Sequence, residues 1–210
     1  MLPVGVVTLR DDVVTLEPLA PEHAVGLLQA ATGRRDTFGL TYVPATADAM
    51  RAYLEAAFAE ASRGVSLPFA TRDSKTGRVV GSTRFMNIER WTWVDGSALQ
   101  RSPEYADAVE IGSTWLAPEA QRTGINTHAK LLMLTHAFDA WEVRRVTLKT
   151  DARNVRSRAA IERIGGRLDG ILRAHMPAAD GTERDTALYS ILRTEWPAVR
   201  ERLRAMAHGR

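Results

Sequence analysis

The run Gln121-Arg122-Thr123-Gly124-Ile125-Asn126 places a glycine in a short loop that opens directly into a strongly periodic helix. The first turn of a helix has N–H groups with no internal acceptor, so such a loop can aim several of them at one anion. A phosphate is the expected anion, favoured further by a helix dipole worth roughly half a unit charge at that end. Arg122, Lys130, Arg153 and Arg156 are candidates for contacts to it. Other chemistries find less support. Gly124 is not followed by the Lys-Ser/Thr of a Walker loop, and no Gly-x-Gly-x-x-Gly follows the first strand. Cysteine is absent, which removes disulfides, thiolate metal sites and cysteine nucleophiles. His128 and His136 have no carboxylate partner at zinc-ligand spacing, so no metal is expected. Ser113 and Ser190 lack the histidine and acid of a recognisable triad.

Hydrophobic spacing supplies the elements that must hold this loop. Val13–Pro18 predicts a first strand and Pro21–Ala31 a short helix. Residues 33 to 45 form a loop with Arg34, Arg35, Asp36, Phe38 and Tyr42, open either to a ligand or to a plain connecting role. Thr46 can cap a helix that runs to about Ser62, with Tyr53, Leu54 and Phe58 inward and Gly64 as its stop. Leu67–Arg72 and Val79–Met86 predict a hairpin around Asp73-Ser74-Lys75-Thr76-Gly77. An irregular excursion over residues 87 to 107 carries Trp91 and Trp93, which could line a substrate cleft, form a subunit contact or cover the core edge. A strand over Ala108–Leu116 follows. Ile125, Ala129, Leu132, Phe138 and Trp141 then predict one uninterrupted helix from Gly124 to about Trp141. Strands over Arg145–Thr150, Arg167–Ala174 and Arg184–Leu192, a helix over Asn154–Ile164 and a C-terminal helix at about 194–206 complete the order. Three consecutive strands precede the central helix, so the expected fold is α/β (α+β): a mixed, partly antiparallel sheet with helices on both faces.

With 210 residues, 45% of them hydrophobic, the chain can bury one full core and is expected to form a single domain over 1–210. No apolar window is long enough to span a membrane, and Met1–Arg10 has no basic start followed by an apolar run. A cytoplasmic protein is expected. The net charge is +3, and most arginines alternate with acids along helices, so no direct nucleic-acid binding is expected.

The element order, with an anion loop after the fourth predicted strand, resembles the acetyl-CoA-dependent N-acetyltransferase superfamily (GNAT). Gln121-Arg122-Thr123-Gly124-Ile125-Asn126 is similar to that family's pyrophosphate loop, and Asn154-Val155-Arg156-Ser157 with Glu162-Arg163-Ile164-Gly165 resembles its next motif. Within the family the resemblance points to the branch that acetylates N-termini of ribosomal proteins. It implies coenzyme A as cofactor, with the diphosphate on the N–H groups of Arg122, Thr123, Gly124, Ile125, Asn126 and Thr127. It also implies that Trp115, Leu116 and Ala117 pair with the pantetheine amides, as β-augmentation does for a peptide, and that Asn154, Arg156 and Ser157 contact the cofactor. Asn126 stands where the family has Gly or Ala; its side chain either narrows the space over the diphosphate or adds a hydrogen bond to it.

Acetyl transfer to an amine needs a neutral nucleophile, and amines with reference pKa values of about 8 to about 10.4 are mostly protonated at neutral pH. Glu110 is the candidate base, acting through water. Ile161 occupies the position where many relatives have a tyrosine acid, and Ser157 is the acid that the resemblance carries over. Phe38, Tyr42, Trp91, Trp93 and His175 are candidates for the acceptor side, and Asp151 and Asp185 could recognise a cationic amine. The acceptor is a primary amine, either a small molecule or a protein N-terminus. A non-catalytic acyl-CoA-binding or partner-binding module on the same fold is the alternative. The exposed tryptophans and the terminal helix are compatible with a homodimer.

Overall fold

The computed structural model describes residues 1–209, in which eight strands form one sheet. In chain order the elements are β1 (Leu9–Arg10), β2 (Val14–Pro18), α1 (Ala24–Ala31), α2 (Ala47–Ser62), β3 (Ser66–Asp73), β4 (Val79–Glu89), β5 (Ala108–Leu116), α3 (Ile125–Thr135), β6 (Arg145–Asp151), α4 (Val155–Arg163), β7 (Arg167–Pro177), β8 (Glu183–Leu192) and α5 (Trp196–His208). The strand order is β1-β2-β3-β4-β5-β6-β8-β7, antiparallel throughout except between β5 and β6. Adjacent residues of β4 show that helices cover both faces. Ser82 accepts a hydrogen bond from Tyr53 of α2, while Thr83 meets Met133 and Lys130 of α3 on the other side.

Local chemistry explains most boundaries. Thr46 caps α2 by accepting from the Ala49 N–H at 3.2 Å. The β3–β4 turn closes through Asp73, whose side chain accepts from the Lys75 N–H and whose carbonyl accepts from Gly77. Two expectations need correction. The sheet has an additional strand, β1, which at two residues is too short to show any periodicity; Asp11 turns it into β2 by accepting from the N–H groups of Val13 and Val14. The central helix is not uninterrupted. After Thr135 it widens into a π-turn over His136–Ala140, and the Trp141 N–H reaches back five residues to the His136 carbonyl. The extra residue lets Ala137, Phe138 and Trp141 all face the core, where none is more than 2% exposed.

The feature that positions a site is a fork in the sheet. β5 and β6 pair only from Ala108–Glu110 to Arg145–Thr147, after which β5 continues with β4 and β6 continues with β8. A β-bulge marks the divergence: Ser113 and Thr114 together oppose Thr83, and Ser113 adopts φ +47. Above the bulge, β4 and β5 approach so closely that a Cβ on Gly81 would stand 2.1 Å from the Trp115 carbonyl oxygen. No helix among the described residues is long and apolar enough to cross a membrane.

Candidate active site

The anion loop lies just past the end of β5, at the open end of the fork. Gly124 has φ +99, a left-handed conformation that a residue with a Cβ adopts only at a cost, and it forms the N-cap of α3. Among the described residues, no protein oxygen accepts from the N–H groups of residues 122 to 127. Six consecutive donors are thus available at a helix N-terminus, which is the arrangement the sequence predicts for a diphosphate. Thr123 turns its hydroxyl away, onto the Ala120 carbonyl at 2.7 Å. The Asn126 side-chain oxygen is shielded from solvent and has no partner in the protein, and it lies one turn before Lys130 on the same helix face. An unpartnered carboxamide beside free N–H groups fits an additional contact to a bound polar group.

Beside the loop is a polar cavity of about 380 Å³ lined by Arg34, Asp36, Thr37, Pro118, Gln121, Arg122 and Arg156. Its floor is tied together: Gln121 donates to the Thr37 hydroxyl and the Leu116 carbonyl, and Arg156 donates to the Thr37 carbonyl. Two of the four predicted phosphate contacts, Arg122 and Arg156, line this cavity. The other two are committed elsewhere. Lys130 is 4% exposed, points inward to the hydroxyls of Thr114 and Thr83, and burial lowers its pKa to about 7. Arg153 is bound to Asp151 and Asp180. Arg34, 87 residues before Gln121, also lines this cavity, where it is paired with Asp36 at 2.7 Å; nothing local in the loop distinguishes it from its neighbour Arg35.

At the closed end of the fork, Glu110 is 6% exposed and sits opposite Thr147 of β6. Its Oε2 accepts from Asn87 at 2.8 Å and lies 2.7 Å from Lys149 Nζ. Its Oε1 lies against the Cα of Gly112, where a Cβ would come within 3.1 Å. Asn87 and Lys149 escaped sequence reasoning because their relation to Glu110 exists only through strand register. Trp115, Leu116 and Ala117 are buried and bonded on their β4 side, while the β6 side of this stretch has no strand partner. Asn154 caps α4 by accepting from the Ser157 N–H at 3.0 Å. The Ser157 hydroxyl makes no hydrogen bond within the described residues, and Ile161 is buried beneath the same helix.

The acceptor-side candidates are dispersed. Phe38 is buried edge-on against Trp115, whereas Tyr42 is exposed. Trp91 and Trp93 lie in contact with each other beside the start of β5, and Arg144 stacks on Trp93. His175 is exposed and bonds Thr186 on the face of β8 that lies next to Asp151. The Asp151 pKa is lowered by its bond to Arg153, and Asp185 accepts from the Ala174 N–H at a β7 bulge. His128 is paired with Asp11, and no cluster of metal-ligating side chains occurs among the described residues.

The Acetyltransferase (GNAT) domain matches residues 14–167, the span that contains both the fork and the anion loop. The chain belongs to the GNAT acetyltransferase family. It is 38% identical over 114 residues to YdaF of Bacillus subtilis (strain 168), a protein provisionally named a ribosomal N-acetyltransferase, the match covering 52% of this chain and 61% of that one. The matched part therefore spans about three fifths of that relative. Among solved structures, a GCN5-related N-acetyltransferase from Brucella melitensis superposes with a TM-score of 0.82 at 30% identity, covering 97% of this chain and 86% of the other. Mycobacterium smegmatis RimJ, solved in complex with CoA-disulfide, superposes with a TM-score of 0.75 at 26% identity, covering 97% and 95%. The mixed sheet expected from the sequence is the fold these GNAT proteins share.

Proposed function

We propose that this GNAT chain is an acetyl-CoA-dependent N-acetyltransferase that moves the acetyl group directly to a primary amine, with a protein N-terminus as the first acceptor class. The observation that carries this reading is the set of six free N–H groups at the mouth of a sheet fork whose inner β5 edge is also unpaired. A coenzyme with a diphosphate and an amide-containing arm complements both. The N–H groups of residues 122 to 127 would hold the diphosphate, and Arg122 and Arg156 would supply positive charge in the adjoining cavity. The β6-facing edge of Trp115–Ala117 would bond the arm as an added strand. The bound coenzyme supplies an activated acetyl thioester at the fork.

Each remaining step falls to residues of the chain. Glu110 accepts a proton from the incoming ammonium through a water, while Asn87 and Lys149 fix one of its oxygens and leave the other available. Ser157, whose hydroxyl has no other partner, returns a proton to the departing sulfur. The ribosomal-protein preference rests on likeness to YdaF. Acetyl-CoA is expected to raise the melting temperature, and thiol should be released when an amine or an N-terminal peptide is added. Absence of a thermal shift at saturating acetyl-CoA would overturn both the enzyme and the acyl-CoA-binding module; a shift without thiol release from any acceptor would favour the module.

A further inference from the structure

Arg184 has no part in the anion loop or in the proton transfers, yet it stands on the same face of the sheet as Glu110. It is the second residue of β8, opposite Met176 of β7. Alternation along β8 puts it on the face of Thr186, Leu188 and Ser190, and the β6–β8 register brings Lys149 and Asp151 to that same face. Glu110, opposite Thr147, belongs to it as well. The Arg184 guanidinium is half-buried, and its Nε is shielded from solvent with no hydrogen-bond partner. Two other arginines, Arg84 and Arg200, also have an Nε without a hydrogen bond, but each is ion-paired to a carboxylate, in Glu60 and Asp139. Arg184 has neither a hydrogen bond nor an ion pair among the described residues. Burial lowers its pKa, opposed by the charges of Asp151 and Glu110, so both carboxylates lie within electrostatic reach. Neither is free to bind it: Asp151 is held by Arg153, and Glu110 by Lys149 and Asn87.

A partly desolvated guanidinium whose Nε has no protein partner is open to a ligand, and its planar fork matches a carboxylate. We propose that Arg184 determines acceptor specificity by binding a carboxylate that the acceptor carries a few bonds from its amine. The acceptor class is then an acidic N-terminal segment, and polyamines are disfavoured because their second cation would meet Arg184. This rests on the acetyl-transfer reading of the same site.

The test uses pairs of peptides that differ only by Glu or Gln at the first or second position, with thiol release as the readout. In at least one pair the Glu peptide should have the higher kcat/KM by about tenfold or more at low salt, as a charge-assisted pair provides. Arg184→Gln should bring the two members of that pair within about twofold, and Arg184→Lys should retain part of the preference. Equal use of every pair by the unaltered protein, or a preference that survives in R184Q, overturns the proposal. Equilibrium binding of the same peptides to the protein saturated with acetyl-CoA separates the two ideas. If no peptide releases thiol but the Glu peptide still binds about tenfold tighter in an Arg184-dependent way, the transfer reading fails and this one stands. Equal binding of all peptides with normal turnover sinks this one alone.

Discussion

Replacing Lys130 by methionine removes an ammonium that the fold buries without a counter-charge. Its neighbours are the hydroxyls of Thr114 at 2.8 Å and Thr83 at 3.3 Å, and burial brings its pKa from the usual 10.5 to about 7. In the unfolded chain the lysine keeps its ordinary pKa, so between about pH 7 and about pH 10.4 the unfolded state holds a proton that the folded state has released. Stability therefore rises with pH across that window by about 1.4 kcal/mol per unit, and the penalty of the charged lysine is fully present below it. The fall from 10.5 to about 7 amounts to about 5 kcal/mol in total. Lys130→Met keeps most of the buried volume and leaves Thr83 and Thr114 bonded to each other at 2.8 Å. Urea unfolding of both proteins at pH 7, 8 and 9 isolates the lysine, because every other titration is common to the pair. The unaltered protein should gain about 2 to 3 kcal/mol on K130M between pH 7 and 9. Parallel pH dependence in the two proteins would refute the reasoning.

Three further substitutions address the loop, the base and the fork. Glu110→Gln should lower kcat by about a hundredfold while leaving acetyl-CoA affinity unchanged; steady-state kinetics decide this, and a change below about twofold would remove Glu110 from that role. Gly124→Ala faces open space, with His128 Cδ2 at 3.9 Å, so its effect comes from the backbone at φ +99 alone; calorimetry should show acetyl-CoA binding about five- to thirtyfold weaker or a stability lower by an equivalent 1 to 2 kcal/mol, and the absence of both changes would contradict the loop geometry. Gly81→Ala puts a Cβ 2.1 Å from the Trp115 carbonyl and must separate β4 from β5; urea unfolding should show a loss of about 2 to 4 kcal/mol, and an unchanged midpoint would mean that the strands do not approach as described.

The parts of this molecule legible in its sequence are those set by local chemistry. The glycine before α3, the Thr46 cap and the Asp73–Gly77 turn each depend on residues a few positions apart, and each stands where the sequence predicts. The fork was out of reach, because it arises from a register jump between β4 and β5 and from the early end of β5–β6 pairing. The same holds for the Glu110–Lys149–Asn87 cluster, whose members come from three strands. Lys130 departs from its expected phosphate contact for a different reason. A lysine one turn after Asn126 has the signature of a solvated helix face, and only the two threonines contributed by β4 and β5 make an interior position tolerable for it. Arg184 was invisible in another way, since having no partner is a property of the whole assembled face.

The central claim is that coenzyme A enters between β5 and β6 with its diphosphate on the first turn of α3. Amide hydrogen exchange with and without saturating acetyl-CoA measures this directly. Protection should rise in residues 122 to 127, whose N–H groups have no acceptor in the protein, and along the β6-facing edge of 112 to 117. Binding accompanied by unchanged exchange in both segments would contradict the account.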